Sequence, residues 1–98
     1  MKHYITVKWL PDITKEQKAA FLPDIKEIFR GALTVAGVHA AEVFANCVDR
    51  DNRFDVMIVL DMDKEALPLY DGCESHKEWK RKYGGLIAAK TIFDCDQS

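Results

Sequence analysis

Residues 53–83, RFDVMIVLDMDKEALPLYDGCESHKEWKRKY, contain the segments that decide the fold. The part from Arg53 to Met62 is rich in large and β-branched apolar residues, a composition typical of a buried strand. One face of this strand carries Phe54, Val56, Ile58, Leu60 and Met62, and the other carries Asp55, Met57 and Val59. Because both faces are largely apolar, the sheet that contains this strand must be covered on both sides.

The rest of the stretch predicts two short helices separated by a break. Asp63 is positioned to cap a helix over residues 64–70, and the Asp71-Gly72 pair interrupts it. A second helix is expected to begin at Glu74 or Ser75. The break therefore lies between a tyrosine at position 70 and a histidine at position 76.

Outside this stretch, the amino-terminal residues predict a strand followed by a long amphipathic helix. Residues 3–10 alternate in β-rich composition, which indicates a strand. Thr14 and Gln17 have the spacing of a capping box, and apolar residues then recur every three or four positions up to Leu33. Pro23 lies inside this pattern and predicts a kink or an irregular second turn.

Two further strands complete the set of elements. Residues 38–48 predict a weaker strand, joined by the polar turn 49–52 to the central strand as an antiparallel hairpin. A final strand is expected within residues 87–95.

The order of elements is strand, helix, strand, strand, helix pair, strand. This order predicts an α+β fold of the ferredoxin-like split βαβ type, with a four-stranded antiparallel sheet and helices on one face. We expect residues 1–98 to form a single domain. Because the helices cover only one face, a homodimer with two sheets packed face to face, a dimeric α/β barrel, is the expected cover for the other.

Composition argues against several classes of partner. Apolar residues make up 48%, charged residues 31%, and the formal net charge is −2, so no polybasic surface for nucleic acid or anionic membrane is expected. Asp61, Asp63 and Glu65 lack the spacing of a calcium loop, and no metal site is expected. No apolar run is long enough to span a membrane.

Cys47, Cys73 and Cys95 are odd in number and lack a metal-binding or redox spacing. This pattern is typical of reduced thiols and predicts a cytoplasmic protein.

Three residues could carry chemistry, namely His3, Tyr70 and His76. A histidine exchanges a proton near neutral pH, and a tyrosine hydroxyl can donate a hydrogen bond to a developing oxyanion. The alternative is that all three only form hydrogen bonds within the fold. Asp55 is expected to pair with Arg53 or Lys90, or else to line a cavity.

Five segments of the chain resemble the stress-responsive A/B barrel (Dabb) family, whose members form dimeric α/β barrels. These segments are MKHYITVKW (1–9), ITKEQKAAF (13–21), RFDVMIVLDMDKEAL (53–67), LYDGCESHKEWKRKY (69–83) and TIFDCD (91–96). A plant polyketide cyclase of similar sequence closes a ring by an aldol-type reaction with a histidine base and an assisting tyrosine. The resemblance implies that the base corresponds to His76, the tyrosine to Tyr70 and the first-strand histidine to His3.

The chain also departs from that cyclase at three positions. It has Asp55 and Cys73 where the cyclase has histidines, and Ile25 where the cyclase has a tyrosine. These differences place the particular cyclisation in question, although the retained residues favour a pocket.

The resulting hypothesis is a homodimer that holds a small apolar or carbonyl ligand in a cleft between sheet and helices, with no cofactor. The expected ligand contacts are Ile5, Val7, Phe21, Ile25, Asp55 and Met57. The alternative is a cofactor-independent cyclase or lyase in which His76 removes a proton while Tyr70 and His3 steady an enolate oxygen. A cofactor-free monooxygenase and a non-catalytic dimer that protects under stress are further alternatives.

Overall fold

The computed structural model describes residues 1–96 and contains one four-stranded antiparallel sheet with helices on one face. The elements are β1 (Lys2–Trp9), α1 (Lys15–Arg30), β2 (Val38–Ala45), β3 (Val56–Met62), α2 (Leu67–Asp71), α3 (Glu74–Tyr83) and β4 (Ile87–Cys95). Short 3-10 turns cover Gly31–Thr34, Lys64–Ala66 and Gly84–Leu86. The sheet order is β2-β3-β1-β4, and each neighbouring pair is antiparallel. The α+β ferredoxin-like fold predicted from the sequence is thereby confirmed.

β1 lies in the middle of the sheet and alternates between its two faces. The residues that face the helices are buried, and they are His3, Ile5, Val7 and Trp9. On the same face, β3 buries Val56, Ile58, Leu60 and Met62. The helix-facing positions predicted for β3 from Val56 to Met62 are correct, because side chains in a strand alternate with a period of two. Asp55, which was expected to share a face with Met57, instead lies 2.9 Å from Lys18 of α1.

α1 begins at the predicted capping box. The Gln17 amide donates to the Thr14 hydroxyl at 3.1 Å, and the Thr14 amide donates to the Gln17 side-chain oxygen at 2.8 Å. The helix continues through Pro23 without interruption. It ends at Arg30, earlier than the apolar pattern indicated, so Leu33 lies in a 3-10 turn and is 44% exposed.

α3 packs against α1 through aromatic side chains and several polar contacts. The Trp79 ring meets the Phe29 ring with centroids 5.3 Å apart. At the end of α3, the Tyr83 hydroxyl donates to the Asp24 carboxylate at 2.6 Å, and Lys82 donates to the same group. The hydrogen bond from Tyr83 lowers the pKa of the Asp24 carboxyl most, and the one from Lys82 lowers it further. Both bonds join the two helices.

The cap expected before the Lys64–Ala66 turn is absent, whereas α3 begins at Glu74, as expected. Asp63 precedes the Lys64–Ala66 turn without capping it, because its carboxylate lies 3.0 Å from the His39 ring. α3 is capped by Cys73, whose sulfur accepts a hydrogen bond from the His76 amide at 3.4 Å. Sulfur is a weak acceptor, so sequence rules based on oxygen-bearing caps missed it.

Within residues 1–96, no helix is both long and apolar enough to cross a membrane.

Gly37 lies in the connection between the Gly31–Thr34 turn and β2. Its φ is +88°, and a Cβ built there would lie 2.9 Å from the Ala66 Cβ. We expect Gly37→Ala to lower the free energy of unfolding by about 1–3 kcal/mol, because it combines an unfavourable φ with a clash. Urea denaturation measures this change.

Gly85→Ala is the matched control, since a Cβ there meets no atom within 4 Å. It should change stability by no more than about 0.5 kcal/mol. Equal losses for the two variants would contradict the assignment of strain to Gly37.

Candidate functional site

Three aromatic rings from three elements form a row on the helix side of the sheet. The Tyr70 ring of α2 lies between His3 of β1 and His76 of α3, with centroid distances of 5.7 Å to His3 and 4.9 Å to His76. The structure therefore brings together the three residues that the sequence analysis singled out. We call this group the ring cluster.

The local fold explains why these rings meet. His3 occupies a helix-facing position of β1, so its ring points towards the helix layer. α2 ends at Asp71, and the chain turns at Gly72 before α3 begins. The break lies between Tyr70 and His76, as expected from the sequence, and their rings meet with centroids 4.9 Å apart.

Each histidine has one ring nitrogen engaged by an oxygen acceptor. The Nδ1 atom of His76 lies 2.9 Å from the backbone carbonyl oxygen of Asp71, which can only accept. The Nδ1 atom of His3 lies 2.5 Å from the Asp94 carboxylate. Both Nδ1 atoms therefore donate, and in a neutral ring the Nε2 atom keeps its lone pair for a proton or a hydrogen-bond donor.

Asp94 is a site residue that the sequence analysis missed. It lies directly opposite His3 in the β1–β4 ladder. A pairing register between strands about 90 positions apart is not readable from a single sequence, because it depends on how the whole sheet assembles.

The Tyr70 hydroxyl is the unusual group of the cluster. The side chain has no exposed surface, and its hydroxyl has no hydrogen-bond partner among residues 1–96. Burial, aided by the nearby Cys73 and Asp71, raises the pKa of Tyr70 well above its usual value. The group is therefore a neutral hydroxyl at physiological pH, and it is able to donate a hydrogen bond.

Access to the cluster is restricted. His3 is 4% exposed and Tyr70 is fully buried, whereas His76 is partly exposed at the surface. A ligand could therefore contact His76 directly, but it could reach the Tyr70 hydroxyl only if neighbouring side chains moved.

The six expected ligand contacts do not surround one cleft. Ile5, Val7 and Ile25 are at most 3% exposed and belong to the packed core, so the space between sheet and α1 is filled there. Phe21 is half-buried. Met57 lies on the opposite face of the sheet, since it pairs with Thr6 rather than with a helix-facing residue.

Asp55 has partners other than those expected. Its carboxylate lies 2.9 Å from the Lys18 ammonium and accepts a hydrogen bond from the Trp9 amide at 2.8 Å. The expectation of pairing with Arg53 or Lys90 is wrong, because Asp55 precedes β3 and its carboxylate lies against Lys18 of α1. Asp55 also lines a cavity, as the alternative reading proposed.

Within the described part of the chain, no group of three or more His, Cys, Asp or Glu residues is arranged to hold a metal ion.

Comparisons with known proteins identify the fold. No model of a known protein family matches the sequence, and no curated protein matches it either. Among solved structures, a dimeric ferredoxin-like protein of unknown function from Bacteroides fragilis has a TM-score of 0.83 and 14% identity. That match covers 98% of this chain and 94% of the other.

Two further solved structures are similar to this chain over almost its whole length. A Dabb family protein with a ferredoxin-like fold from Mesorhizobium loti has a TM-score of 0.73 and 15% identity, with 99% of this chain and 95% of that chain covered. A protein from Bacteroides thetaiotaomicron, assigned to the antibiotic biosynthesis monooxygenases, has a TM-score of 0.72 and 15% identity, with coverage of 99% and 88%. This chain therefore has the fold of a Dabb-type domain, in agreement with the resemblance found in its sequence.

Because the Tyr70 hydroxyl has no hydrogen-bond partner among residues 1–96, removing it should not destabilise the protein. Tyr70→Phe should leave stability unchanged or raise it by about 1 kcal/mol, because it removes a buried polar group that lacks a partner. Thermal and urea unfolding of the purified protein measure the effect.

Tyr83→Phe is the control, since it removes a hydroxyl that donates to Asp24. It should cost about 1–2 kcal/mol, as expected for a hydrogen bond to a charged group. A loss for Tyr70→Phe as large as that for Tyr83→Phe would show that the Tyr70 hydroxyl has a partner.

Proposed function

We propose that this protein functions as a homodimer in which the helix-free faces of two sheets pack together. The observation that carries the proposal is the group of large apolar side chains exposed on that face. Phe44 is 49% exposed, Met57 39% and Phe93 64%. We call the helix-free side of the sheet the open face.

The side chains of the open face form two rows across all four strands, and five of the eight are apolar or aromatic. One row runs from Phe44 through Met57 and Thr6 to Thr91. The other runs from Glu42 through Val59 and Tyr4 to Phe93, where the Tyr4 and Phe93 rings are 6.3 Å apart.

A flat surface of this kind fits a second sheet, because stacked sheets pack through interdigitating side chains. A twofold axis makes one face complementary to itself. The dimeric state described for the Bacteroides fragilis protein of similar fold supports a dimeric state for this chain.

Met57→Glu tests the dimer. It places a carboxylate in the centre of the open face, where burial in an interface would desolvate the charge. The wild type should sediment as a dimer of the 11.2 kDa chain at micromolar concentration, and the variant should sediment as a monomer.

Leu69→Glu is the matched control, because Leu69 is 57% exposed but lies on α2, in the helix layer. This variant should remain dimeric. A monomeric wild type, or dissociation caused by Leu69→Glu alone, would contradict the proposal.

A second candidate function concerns the ring cluster. We propose that a small carbonyl compound binds there, with Tyr70 donating to its oxygen. The unpartnered hydroxyl of Tyr70 supports this function, because an oxygen acceptor would satisfy it. Because Tyr70 is fully buried, such binding requires neighbouring side chains to move.

The same geometry would allow proton transfer. With Nδ1 engaged by Asp71, the Nε2 atom of His76 is the lone-pair nitrogen nearest the surface and would act as the base. Tyr70, and His3 when its ring is protonated, would donate to the resulting enolate oxygen. Each of these steps uses side chains alone and involves no cofactor.

A thermal-shift screen of small carbonyl and aromatic compounds tests this function. A compound that binds at the cluster should raise the melting temperature of the wild type and have a smaller effect on His76→Ala. His39→Ala is the control, since His39 lies on β2 and is exposed. Equal increases in melting temperature for the wild type and His76→Ala would show that His76 is not part of the binding site.

A further inference from the structure

A second region of the protein has the features of a binding site that is separate from the ring cluster. Where α1 passes the start of β3, a cavity of about 320 Å³ opens beside Trp9, Lys18 and Asp55. An adjoining cavity of about 250 Å³ shares these three residues and Asn46, and it extends below the loop between β2 and β3. We call the two together the Lys18 cavity.

The walls of the Lys18 cavity combine apolar and charged groups. Ala19, Leu22 and Val56 contribute apolar surface beside the Trp9 ring. The charged lining comprises the basic residues Lys8, Lys15, Lys18, Arg50 and Arg53 and the carboxylates Asp49, Asp51 and Asp55. The excess of basic groups contrasts with the net charge of −2 of the whole chain.

Lys18 and Trp9, which both line the cavity, have hydrogen-bond donors that the protein does not use. The ammonium of Lys18 has three N–H groups, one of which donates to Asp55. The indole N–H of Trp9 is buried and has no partner among residues 1–96. Because an unpaired buried donor is costly, an acceptor supplied by a ligand would stabilise this region.

We propose that the Lys18 cavity binds a small carboxylate that carries an apolar ring or chain. Its carboxylate would accept from Lys18 and, after movement of the Trp9 ring, from the buried indole N–H. Its apolar part would lie against Leu22 and Val56. Asp55 lies 2.9 Å from the Lys18 ammonium and competes with the ligand for it. All of these residues come from one protomer, so the site does not depend on the dimer or on the ring cluster.

Benzoate is a suitable probe, with benzamide as its uncharged counterpart. The chain has two tryptophans, so the ¹H–¹⁵N spectrum of the full-length protein has two indole signals, which Trp79→Phe assigns. Titration with benzoate should shift the Trp9 indole signal and leave that of Trp79 nearly unchanged. Benzamide should bind at least about tenfold more weakly, because it lacks the charge that Lys18 recognises.

Three variants locate the binding. Lys18→Met keeps the length of the side chain and should weaken benzoate binding about tenfold or more. Lys77→Met, which removes the same charge from the outer surface of α3, should bind like the wild type. Asp55→Asn should bind benzoate more tightly, because it removes a competing negative charge while keeping an oxygen that can accept from the Trp9 amide.

The proposal has clear contrary outcomes. It is overturned if benzoate leaves the Trp9 signal in place throughout the titration, or if it shifts both indole signals alike. It is also overturned if Lys18→Met and Lys77→Met bind benzoate equally while both retain the wild-type melting temperature. Loss of binding at the ring cluster would not affect these measurements, since none of the variants alters His3, Tyr70 or His76.

Discussion

The pairing of β1 with strands on both of its sides is the constraint on which the rest of the structure depends. β1 is antiparallel to β3 along one edge and to β4 along the other. Once this register is set, strand alternation decides which side chains meet the helices and which reach the open face. The two candidate sites lie at opposite ends of this strand, with His3 at one end and Trp9 at the other.

At the amino-terminal end of β1, the register brings polar groups into an otherwise apolar layer. His3 is tolerated there because the Asp94 carboxylate of the neighbouring strand accepts from its ring. Among residues 1–96 the neighbouring Tyr70 hydroxyl has no such partner, and the cost of its burial is offset by the packing of the surrounding side chains. A polar group retained at a cost is a stronger sign of function than an apolar one, since packing alone would be served by phenylalanine.

At the other end, Trp9 forms the centre of an aromatic group that joins the sheet to α1 and α3. Its ring lies 5.4 Å from Phe21, 6.2 Å from Trp79 and 5.8 Å from Tyr83. The same residue is linked through its backbone amide to Asp55, and Asp55 binds Lys18 of α1. The packing that stabilises the helix layer thus also shapes the Lys18 cavity.

The sequence by itself determined the fold and the faces of the main strands, because hydrophobic periodicity, a capping box and glycine breaks are local signals. It also singled out His3, Tyr70 and His76, which the structure places side by side. Tertiary structure alone decided that Asp94 engages His3, that Lys18 engages Asp55, and that Ile5, Val7 and Ile25 fill the space where a cleft was expected. Those outcomes depend on strand register and on how tightly side chains fill the interior, and both arise only when distant parts of the chain pack together.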